Sequence, residues 1–158
     1  MEEQKTYYRS PVGILEIIGS EAAITGLNFI DREVTDVAAT PACLQECVRQ
    51  LDQYFATNRK DFSLSLQLVG SEFEKRVWQE LLKIPFGQTL SYIELARRLG
   101  DEKSVRAVGR ANGKNPIAII IPCHRVIGSR GELIGYGGGL WRKEWLLEHE
   151  GGLVQPRL

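Results

Sequence analysis

The feature that most constrains this chain is an apolar run at residues 117–121, bracketed by two prolines. Each proline biases the residue before it toward extended backbone, and the run can fix the next residues at the edge of a core. Those next residues include Cys123, beside His124 and Arg125. A thiol is a nucleophile only as thiolate, and cationic or hydrogen-bonding neighbours lower its pKa. The stretch therefore predicts an activated thiol, and a hydrolase is as compatible with it as any other nucleophilic chemistry.

The composition is that of one ordinary globular domain or two small ones. The chain has 158 residues, of which 43% are hydrophobic and 25% charged, enough to bury a core. No apolar stretch has the length of a membrane span, and the acidic, polar start does not resemble a signal peptide. Three cysteines without a secretion signal favour reduced thiols and a cytoplasmic location.

The net charge is zero, but the two halves of the chain differ in sign. Residues 1–70 hold ten acidic and six basic residues, and residues 71–158 hold ten acidic and fourteen basic ones. The halves therefore carry −4 and +4, which favours two domains with different partners. A basic half fits a polyanionic partner. Chance fluctuation is the alternative that charge alone leaves open.

The N-terminal half predicts a small antiparallel sheet followed by a helix. Short alternating apolar runs between residues 6 and 30 are separated by turn sequences, which is typical of a meander. Apolar residues recur with a helical period over 41–55, and residues 62–68 predict a short strand before a linker. Cys43 and Cys47 are four apart on the helix, but four suitable ligands are not visible, so we expect no metal.

The C-terminal half is predicted to be mainly helical. Two Ser-x-x-Glu capping boxes, at 71–74 and 91–94, each mark the start of a helix. The first helix is expected to end near Ile84, and the second is closed by Gly100 as a C-cap. A third helix is expected over about 104–113. A short helix, a glycine-containing turn and a second helix form the layout of a helix-turn-helix.

The second helix of this pair carries a basic face. Arg106, Arg110 and Lys114 are four apart in sequence and share that face. The small residues Ala107 and Gly109 would let the helix approach a surface closely. Such a helix suits contact with phosphates and a groove. The alternative is that these charges only form a solvated surface. From the helix pair alone, the two interpretations have about equal weight.

Several motifs then occur in the order found in one protein family. They are Ser91-Tyr92, Arg106-Ala107-Val108-Gly109, Asn115-Pro116, the stretch from Ile121 to Ile127, Gly135-Tyr136, Gly138-Gly139 and the stretch from Lys143 to Gly151. On these motifs the chain resembles the O6-alkylguanine-DNA alkyltransferases over roughly residues 71–152. The resemblance implies an α+β protein. Residues 1–70 would form a ribonuclease H-like domain with a linker, and residues 71–158 a winged-helix-like domain that binds DNA and accepts the alkyl group.

The resemblance implies DNA repair in a single turnover. The protein would transfer an alkyl group from O6-alkylguanine in double-stranded DNA to its own cysteine, with O4-alkylthymine left open as a further substrate. A thioether is a poor leaving group, so each molecule would react once. No cofactor is implied, because the damaged DNA is the alkyl donor. We expect no membrane partner and a monomer in solution, with cooperative assembly on DNA left open.

The resemblance also assigns chemical roles. Cys123 is implied as the alkyl acceptor, His124 as the base that takes the thiol proton through a water, and Glu150 as the carboxylate that orients the histidine. Tyr92 is implied as the donor to the guanine ring nitrogen N3. The implied alkylguanine pocket comprises Tyr92, Cys123, Arg125, Val126, Tyr136 and Gly137. Many relatives carry serine where this chain has Gly137, so a hydroxyl contact is absent there.

A base inside a duplex must be flipped out before the transfer. Arg106 matches the family arginine that fills the resulting gap and pairs with the orphaned cytosine. Ala107 and Gly109 match the small residues that let the helix sit in the minor groove, and Arg110 and Lys114 complete the predicted DNA-binding set. Asn115 matches the hinge between that helix and the strand of the active site.

Three rival functions can be weighed against the residues. An alkyltransferase-like protein that binds alkylated bases without repair replaces the acceptor cysteine, so Cys123 argues against it. A cysteine hydrolase would use His124 or His149 as a direct base, would need an oxyanion hole and would leave Arg106 unexplained. A transcriptional regulator of the alkylation response would need a further domain.

Overall fold

A computed structural model of the chain describes residues 2–34 and 40–152 and divides them into two units. One unit holds the described residues up to Val69 together with Pro116–Ala118. The other holds Gly70–Asn115 and the described residues from Ile119 onward. Three residues of the C-terminal half therefore belong to the first unit, and no pattern in the sequence predicts this.

The first unit is built on a three-stranded antiparallel sheet of strands β1 (Gln4–Ser10), β2 (Gly13–Gly19) and β3 (Ile24–Ile30), in that order. Leu15 and Ile17, two apart on the central strand, are fully buried. Alternate side chains of a strand point to opposite faces, so this spacing buries one face of the sheet. The predicted meander is confirmed.

Helix α1 (Ala42–Phe55) covers this sheet. Leu44 and Leu51, two turns apart on one face, are fully buried, as the helical period requires. Cys47 is buried on the same helix and Cys43 is half-buried, and both thiols are free. Within residues 2–34 and 40–152, no three His, Cys, Asp or Glu side chains are grouped so that they could hold a metal ion.

Residues 62–68 do not form the strand that the sequence predicts. Their backbone makes one parallel bridge, between Ile24 and Leu66. Two hydrogen bonds hold it: Ile24 N donates to Ser65 O at 2.9 Å, and Gln67 N donates to Ile24 O at 2.9 Å. The segment is extended, with alternating exposure of its side chains, but pairing at one residue is too little for a strand.

The second unit is mainly helical, as predicted. Its elements are α2 (Glu72–Leu81), β4 (Leu90–Ser91), α3 (Tyr92–Arg98), a 3-10 turn at Glu102–Ser104, α4 (Val105–Gly113), a 3-10 turn at Cys123–Arg125, β5 (Val126–Ile127) and α5 (Leu140–Glu150). Strands β4 and β5 are parallel, which ties the start of α3 to the chain just after the Cys123–Arg125 turn. None of the helices described is long and apolar enough to cross a membrane.

Both capping boxes form. At the start of α2, Glu74 N donates to Ser71 Oγ at 3.0 Å and Ser71 N donates to Glu74 Oε1 at 2.9 Å. The same reciprocal pair joins Ser91 and Glu94 at the start of α3. Each box satisfies two amide groups that a helix start leaves without partners. These local hydrogen bonds set where α3 begins, with Tyr92 as its first residue.

Helices α3 and α4 pack against each other in the predicted helix-turn-helix order. The turn between them contains Gly100 at φ 94°, a left-handed conformation that glycine adopts without steric cost. Trp78 of α2 lies behind α4, and its indole Nε1 donates to Ala111 O at 2.9 Å. The buried face of α4 is therefore held by α2 and α3, which leaves its basic face to solvent.

The proline-bracketed run at 117–121 does not form a strand. Ile117 makes a single bridge to Leu27, and the residues after it turn. Ile119 has φ 70° and is 1% exposed, an uncommon conformation for a β-branched residue. The chain has to leave its pairing with β3 and enter the 3-10 turn at Cys123 within five residues. Burial of Ile119 holds the strained turn in place.

Candidate functional site

Cys123 begins the 3-10 turn and is held from several sides. Its backbone N donates to Ile121 O at 2.8 Å. Asn115 Nδ2 donates to Ile121 O at 2.7 Å, and Asn112 Nδ2 lies 3.5 Å from Cys123 O. Both asparagines belong to the C-terminal end of α4 or the residues just after it. The helix with the basic face therefore anchors the segment that carries the thiol.

Beside the thiol, three buried charged or titratable side chains form one cluster. His124 Nε2 lies 2.8 Å from Glu150 Oε2. Arg125 donates to both carboxylate oxygens of Glu150, from Nε at 2.7 Å and from Nη2 at 3.0 Å. Its Nη1 donates to Ile84 O at 2.6 Å. The side chains of His124 and Glu150 are fully buried and that of Arg125 is 7% exposed, so these interactions act in a medium of low dielectric constant.

The electrostatics of this cluster favour an ionised Glu150 and a neutral His124. Burial raises the pKa of Glu150, but the hydrogen bonds from His124 and Arg125 and the positive charge of Arg125 outweigh it and lower the pKa below its usual 4.5. Burial lowers the pKa of His124 below 6.5, against the opposing effect of Glu150. Because an ionised carboxylate only accepts hydrogen bonds, the ring proton of His124 belongs on Nε2.

The other ring nitrogen of His124 is therefore a proton acceptor. Nδ1 is buried and has no hydrogen-bond partner among the described residues. A buried polar atom without a partner is uncommon and costs free energy. Here it supplies a basic lone pair next in sequence to the thiol.

The Cys123 thiol is neutral at rest, in contrast to the activated thiol that the sequence predicts. Burial raises its pKa above the usual 9.0, while a hydrogen bond from Asn115 and the charge of Lys143 act in the opposite direction. The sequence neighbours His124 and Arg125 do not lower it, because both side chains are directed at Glu150. The thiol becomes a nucleophile only when a base removes its proton.

Tyr92 is half-buried at the start of α3. Its hydroxyl donates to Ile134 O at 2.9 Å. Burial and the neighbouring Cys123 raise its pKa, and a hydrogen bond from Asn112 opposes them. A Cβ at Gly109 of α4 would lie 3.9 Å from the tyrosine ring, an ordinary van der Waals distance, so α4 passes close to this ring. Tyr92 is thus a fixed, protonated donor at the same end of the unit as the thiol.

A buried lysine, which begins the last sequence motif but received no role from it, completes the site. Lys143 is fully buried. Its Nζ donates to Ile134 O at 3.1 Å and to Gly135 O at 3.2 Å, and lies 3.4 Å from Tyr92 Oη. Burial lowers its pKa from 10.5 to about 8.

Helical spacing gives the signal that could have identified this lysine. Lys143, Leu146, Leu147 and Glu150 occupy positions i, i+3, i+4 and i+7 of α5 and are all buried. Two of these four positions carry charge. A charge on the buried stripe of an amphipathic helix needs a specific partner, and it marks a functional candidate.

The other pocket candidates all follow Cys123 in sequence. Val126 is fully buried at the start of β5, and burial raises the pKa of Tyr136 well above 10.0. A Cβ at Gly137 would meet no atom within 4 Å, so the fold does not require glycine there. The guanidinium of Arg125 is engaged by Glu150 and a backbone carbonyl, which leaves its backbone as the part that could contact a base.

The predicted DNA-binding residues share α4 and its C-terminal end. Arg106 and Arg110 are exposed, and within the described parts of the chain neither makes an ion pair. Lys114 is also exposed, 3.8 Å from Glu74. Val108 on the opposite side is fully buried. The helix therefore presents a cationic face to solvent, on which Arg106 and Arg110 have no ion-pair partner among the described residues.

Two family profiles together match most of the chain. The profile of the 6-O-methylguanine DNA methyltransferase ribonuclease-like domain matches residues 4–68, and that of the DNA binding domain of the same proteins matches residues 72–152. These matches confirm the predicted ribonuclease-like and DNA-binding halves and, with the observed sheet and helices, the α+β class.

Individual relatives agree with the profiles. A methylated-DNA–protein-cysteine methyltransferase of Mycobacterium leprae is 51% identical over 145 residues, which cover 89% of this chain and 88% of that protein. The crystal structure of the O6-methylguanine methyltransferase of Mycobacterium tuberculosis superimposes with a TM-score of 0.86 at 41% identity, over 99% of this chain and 97% of that one. The structure of the Mycobacterium tuberculosis OGT in complex with DNA gives a TM-score of 0.84 at 44% identity, over 96% and 93% of the two chains. This chain belongs to the 6-O-methylguanine DNA methyltransferase family.

Proposed function

We propose that this protein repairs DNA by moving the alkyl group of an O6-alkylguanine in double-stranded DNA onto the sulfur of Cys123. Alkyl transfer from methylated DNA to a protein cysteine is the reaction named for its relatives. The observation that carries the assignment to Cys123 is the buried His124–Glu150 pair beside it, in which Nδ1 of a neutral imidazole accepts no hydrogen bond from the described residues.

The first step is removal of the thiol proton. His124 takes it on Nδ1 through one bridging water, since residues adjacent in sequence rarely place thiol and ring in direct contact. The imidazolium that forms is stabilised by the ionised carboxylate of Glu150, which lies 2.8 Å from Nε2. Arg125 keeps that carboxylate charged and oriented. This is the arrangement of nucleophile, base and orienting group that activates a weak nucleophile.

The second step is displacement at the alkyl carbon. The Cys123 thiolate forms the sulfur–carbon bond while the carbon–O6 bond breaks, and the electron pair of that bond leaves with guanine. Tyr92 donates its hydroxyl proton toward guanine N3, which stabilises the leaving group. Positioned proton transfer of this kind typically contributes about 100- to 10,000-fold to a rate. The thioether product does not revert, so each molecule acts once.

The basic face of α4 is the proposed DNA contact. Arg106 and Arg110 are exposed cations without ion pairs among the described residues, which suits phosphate contact. Arg106 fills the gap left by the flipped base, and the small residues Ala107 and Gly109 allow entry into the minor groove. Asn115 joins α4 to the Cys123 segment through Ile121 O, which supports its role as a hinge.

The flipped base is proposed to bind between Tyr92 and the loop that contains Tyr136 and Gly137. Backbone groups of Cys123 and Val126 would read the base edge. An open position at Gly137 leaves space next to the base.

The three cysteines are free thiols, which supports a cytoplasmic, reducing location. A monomer is the state proposed in solution.

A cysteine hydrolase is less well supported by the geometry. Its histidine would have to contact the thiol directly, but Nδ1 of His124, the nitrogen not directed at Glu150, makes no hydrogen bond to Cys123 or to any other described residue. The ring of His149 stacks on Trp145 with centroids 4.9 Å apart. The presence of Cys123 argues against an alkyltransferase-like binding protein, because such proteins replace the acceptor cysteine.

Transfer to Cys123 should add one CH2 unit to the mass of the intact protein. We expect this gain, at one per protein molecule, after incubation with duplex DNA containing one O6-methylguanine. Peptide mapping should place it on Cys123. The Cys123→Ser variant should bind the same duplex and gain no mass. Methylation of Cys43 or Cys47 instead, or no mass gain in the wild type, would contradict the assignment.

The rate of transfer should stay constant as the pH is lowered to about 6.5 and should decrease only at lower pH. The reason is that the base is a neutral His124, and burial lowers its pKa below 6.5. Glu150→Gln removes the charge that raises this pKa, so the fall should move to lower pH while the maximal rate drops by about 100-fold or more. Single-turnover rates across pH measure both effects, with circular dichroism to verify folding. Glu148→Gln, an exposed neighbour on α5, should leave the profile unchanged, and a shift of the Glu150→Gln profile to higher pH would refute the base assignment.

Arg106→Ala should slow repair in duplex DNA more than transfer from a free base. Loss of the residue that fills the gap removes part of the free energy that offsets unstacking, so we expect about a tenfold or larger decrease with O6-methylguanine in duplex DNA. The rate with free O6-benzylguanine should stay within about twofold of wild type, because no base has to be flipped. Arg110→Ala serves as a control for loss of a cation on the same face. Equal losses with both substrates would exclude the gap-filling role.

A further inference from the structure

Lys143 combines full burial with a positive charge that no carboxylate of the described residues balances. It is fully buried, and within the described residues it makes no ion pair. Burying a charge without a counter-ion is costly. Such an arrangement persists only when the surrounding structure enforces it, and it occurs preferentially at functional sites.

The three N–H groups of the ammonium each have an acceptor. They are Ile134 O at 3.1 Å, Gly135 O at 3.2 Å and Tyr92 Oη at 3.4 Å. Nζ also lies 5.7 Å from the centroid of the Tyr92 ring, within cation–π range. One side chain of α5 thus joins the first residue of α3 to two consecutive carbonyls of the loop before α5.

The Ile134 carbonyl receives two donors. Tyr92 Oη donates to it at 2.9 Å and Lys143 Nζ at 3.1 Å. If Tyr92 turns its proton to guanine N3 in the proposed reaction, this carbonyl loses one partner. Lys143 still holds it, together with the carbonyl of Gly135.

We propose that Lys143 is a positioning residue that holds the Ile134–Gly135 loop and the Tyr92 hydroxyl in place, so that Tyr92 can change its hydrogen-bond partner without the pocket wall opening. The inference rests on the proposed function, because it assumes that Tyr92 donates to the bound base. The motif that begins at Lys143 assigns no such role to this lysine.

The charge state of Lys143 makes this contact sensitive to pH. Burial lowers its pKa to about 8, and a neutral amine has only two N–H groups for three acceptors. The titratable groups that face it are Tyr92 from α3, and Cys123 and His124 from the 3-10 turn. The contact should therefore weaken as the pH rises through about 8.

Lys143→Met separates positioning from stability, because methionine has a similar unbranched stem and no charge. Replacing an unbalanced buried charge by an apolar side chain should leave the unfolding midpoint unchanged or higher. The rate of alkyl transfer from O6-benzylguanine should nonetheless fall by about tenfold or more, with amides 133–137 exchanging hydrogen faster at fixed pH. Lys143→Gln, which keeps two N–H donors, should lose less activity, and Lys83→Met, at an exposed lysine on the surface, should change nothing.

The pH dependence of stability gives an independent check on the charge. The folded-state pKa of about 8 lies below the ordinary lysine value of 10.5. The folded protein therefore binds fewer protons than the unfolded chain between these values, and its stability should rise with pH in that window. The rise contributed by this lysine should be absent in Lys143→Met.

The outcomes distinguish this inference from the proposed function. If the wild-type protein takes no alkyl group on Cys123, the proposed function fails. The positioning role is refuted if the wild type reacts and Lys143→Met reacts equally fast. It is also refuted if the variant loses activity only in proportion to a lowered unfolding midpoint, while hydrogen exchange of the loop amides is unchanged.

Discussion

The buried carboxylate of Glu150 is the interaction on which the rest of the site depends. It accepts hydrogen bonds from His124 and from two nitrogens of Arg125, and Arg125 continues to the backbone of Ile84 after α2. Three separate segments of the second unit therefore meet at one charge. Burying ions is costly unless each is paired and hydrogen-bonded, and here both carboxylate oxygens are satisfied by donors of fixed geometry. Removing Glu150 or Arg125 would leave the charge of the other uncompensated in the interior.

This cluster explains how a neutral thiol can serve a transfer reaction. The same burial that raises the pKa of Cys123 also lowers that of His124, so thiol and imidazole are both uncharged at rest. Charge develops only when the proton moves, and then next to the carboxylate of Glu150. A permanently ionised thiolate would be open to oxidation and to other electrophiles. In the proposed reaction Cys123 is consumed once, and a buried, protonated resting state would conserve the nucleophile until an alkylated guanine enters the pocket.

The parts of the structure that depend on local sequence were predicted, and those that depend on burial were not. Capping boxes, the glycine at the turn and helical periods involve residues three or four apart, so both boxes and α2 to α4 could be read directly. The left-handed Ile119 could not, because its conformation is imposed by pairing with β3 on one side and the turn at Cys123 on the other. The raised pKa of that thiol and the buried charge of Lys143 likewise depend on what the fold excludes from water. For the site, the ordered motifs supplied the candidate residues, while their protonation states required the structure.

The most direct test of the central claim is the protonation of His124 in the unreacted protein, measured by 15N NMR. The chain has two histidines, and the His149→Asn variant leaves one ring to observe. At pH 7 we expect a neutral imidazole that carries its proton on Nε2 and a bare Nδ1, and this state should persist to below pH 6.5. An imidazolium at pH 7, or a neutral ring with the proton on Nδ1, would contradict the account, because His124 could not then accept the proton of Cys123.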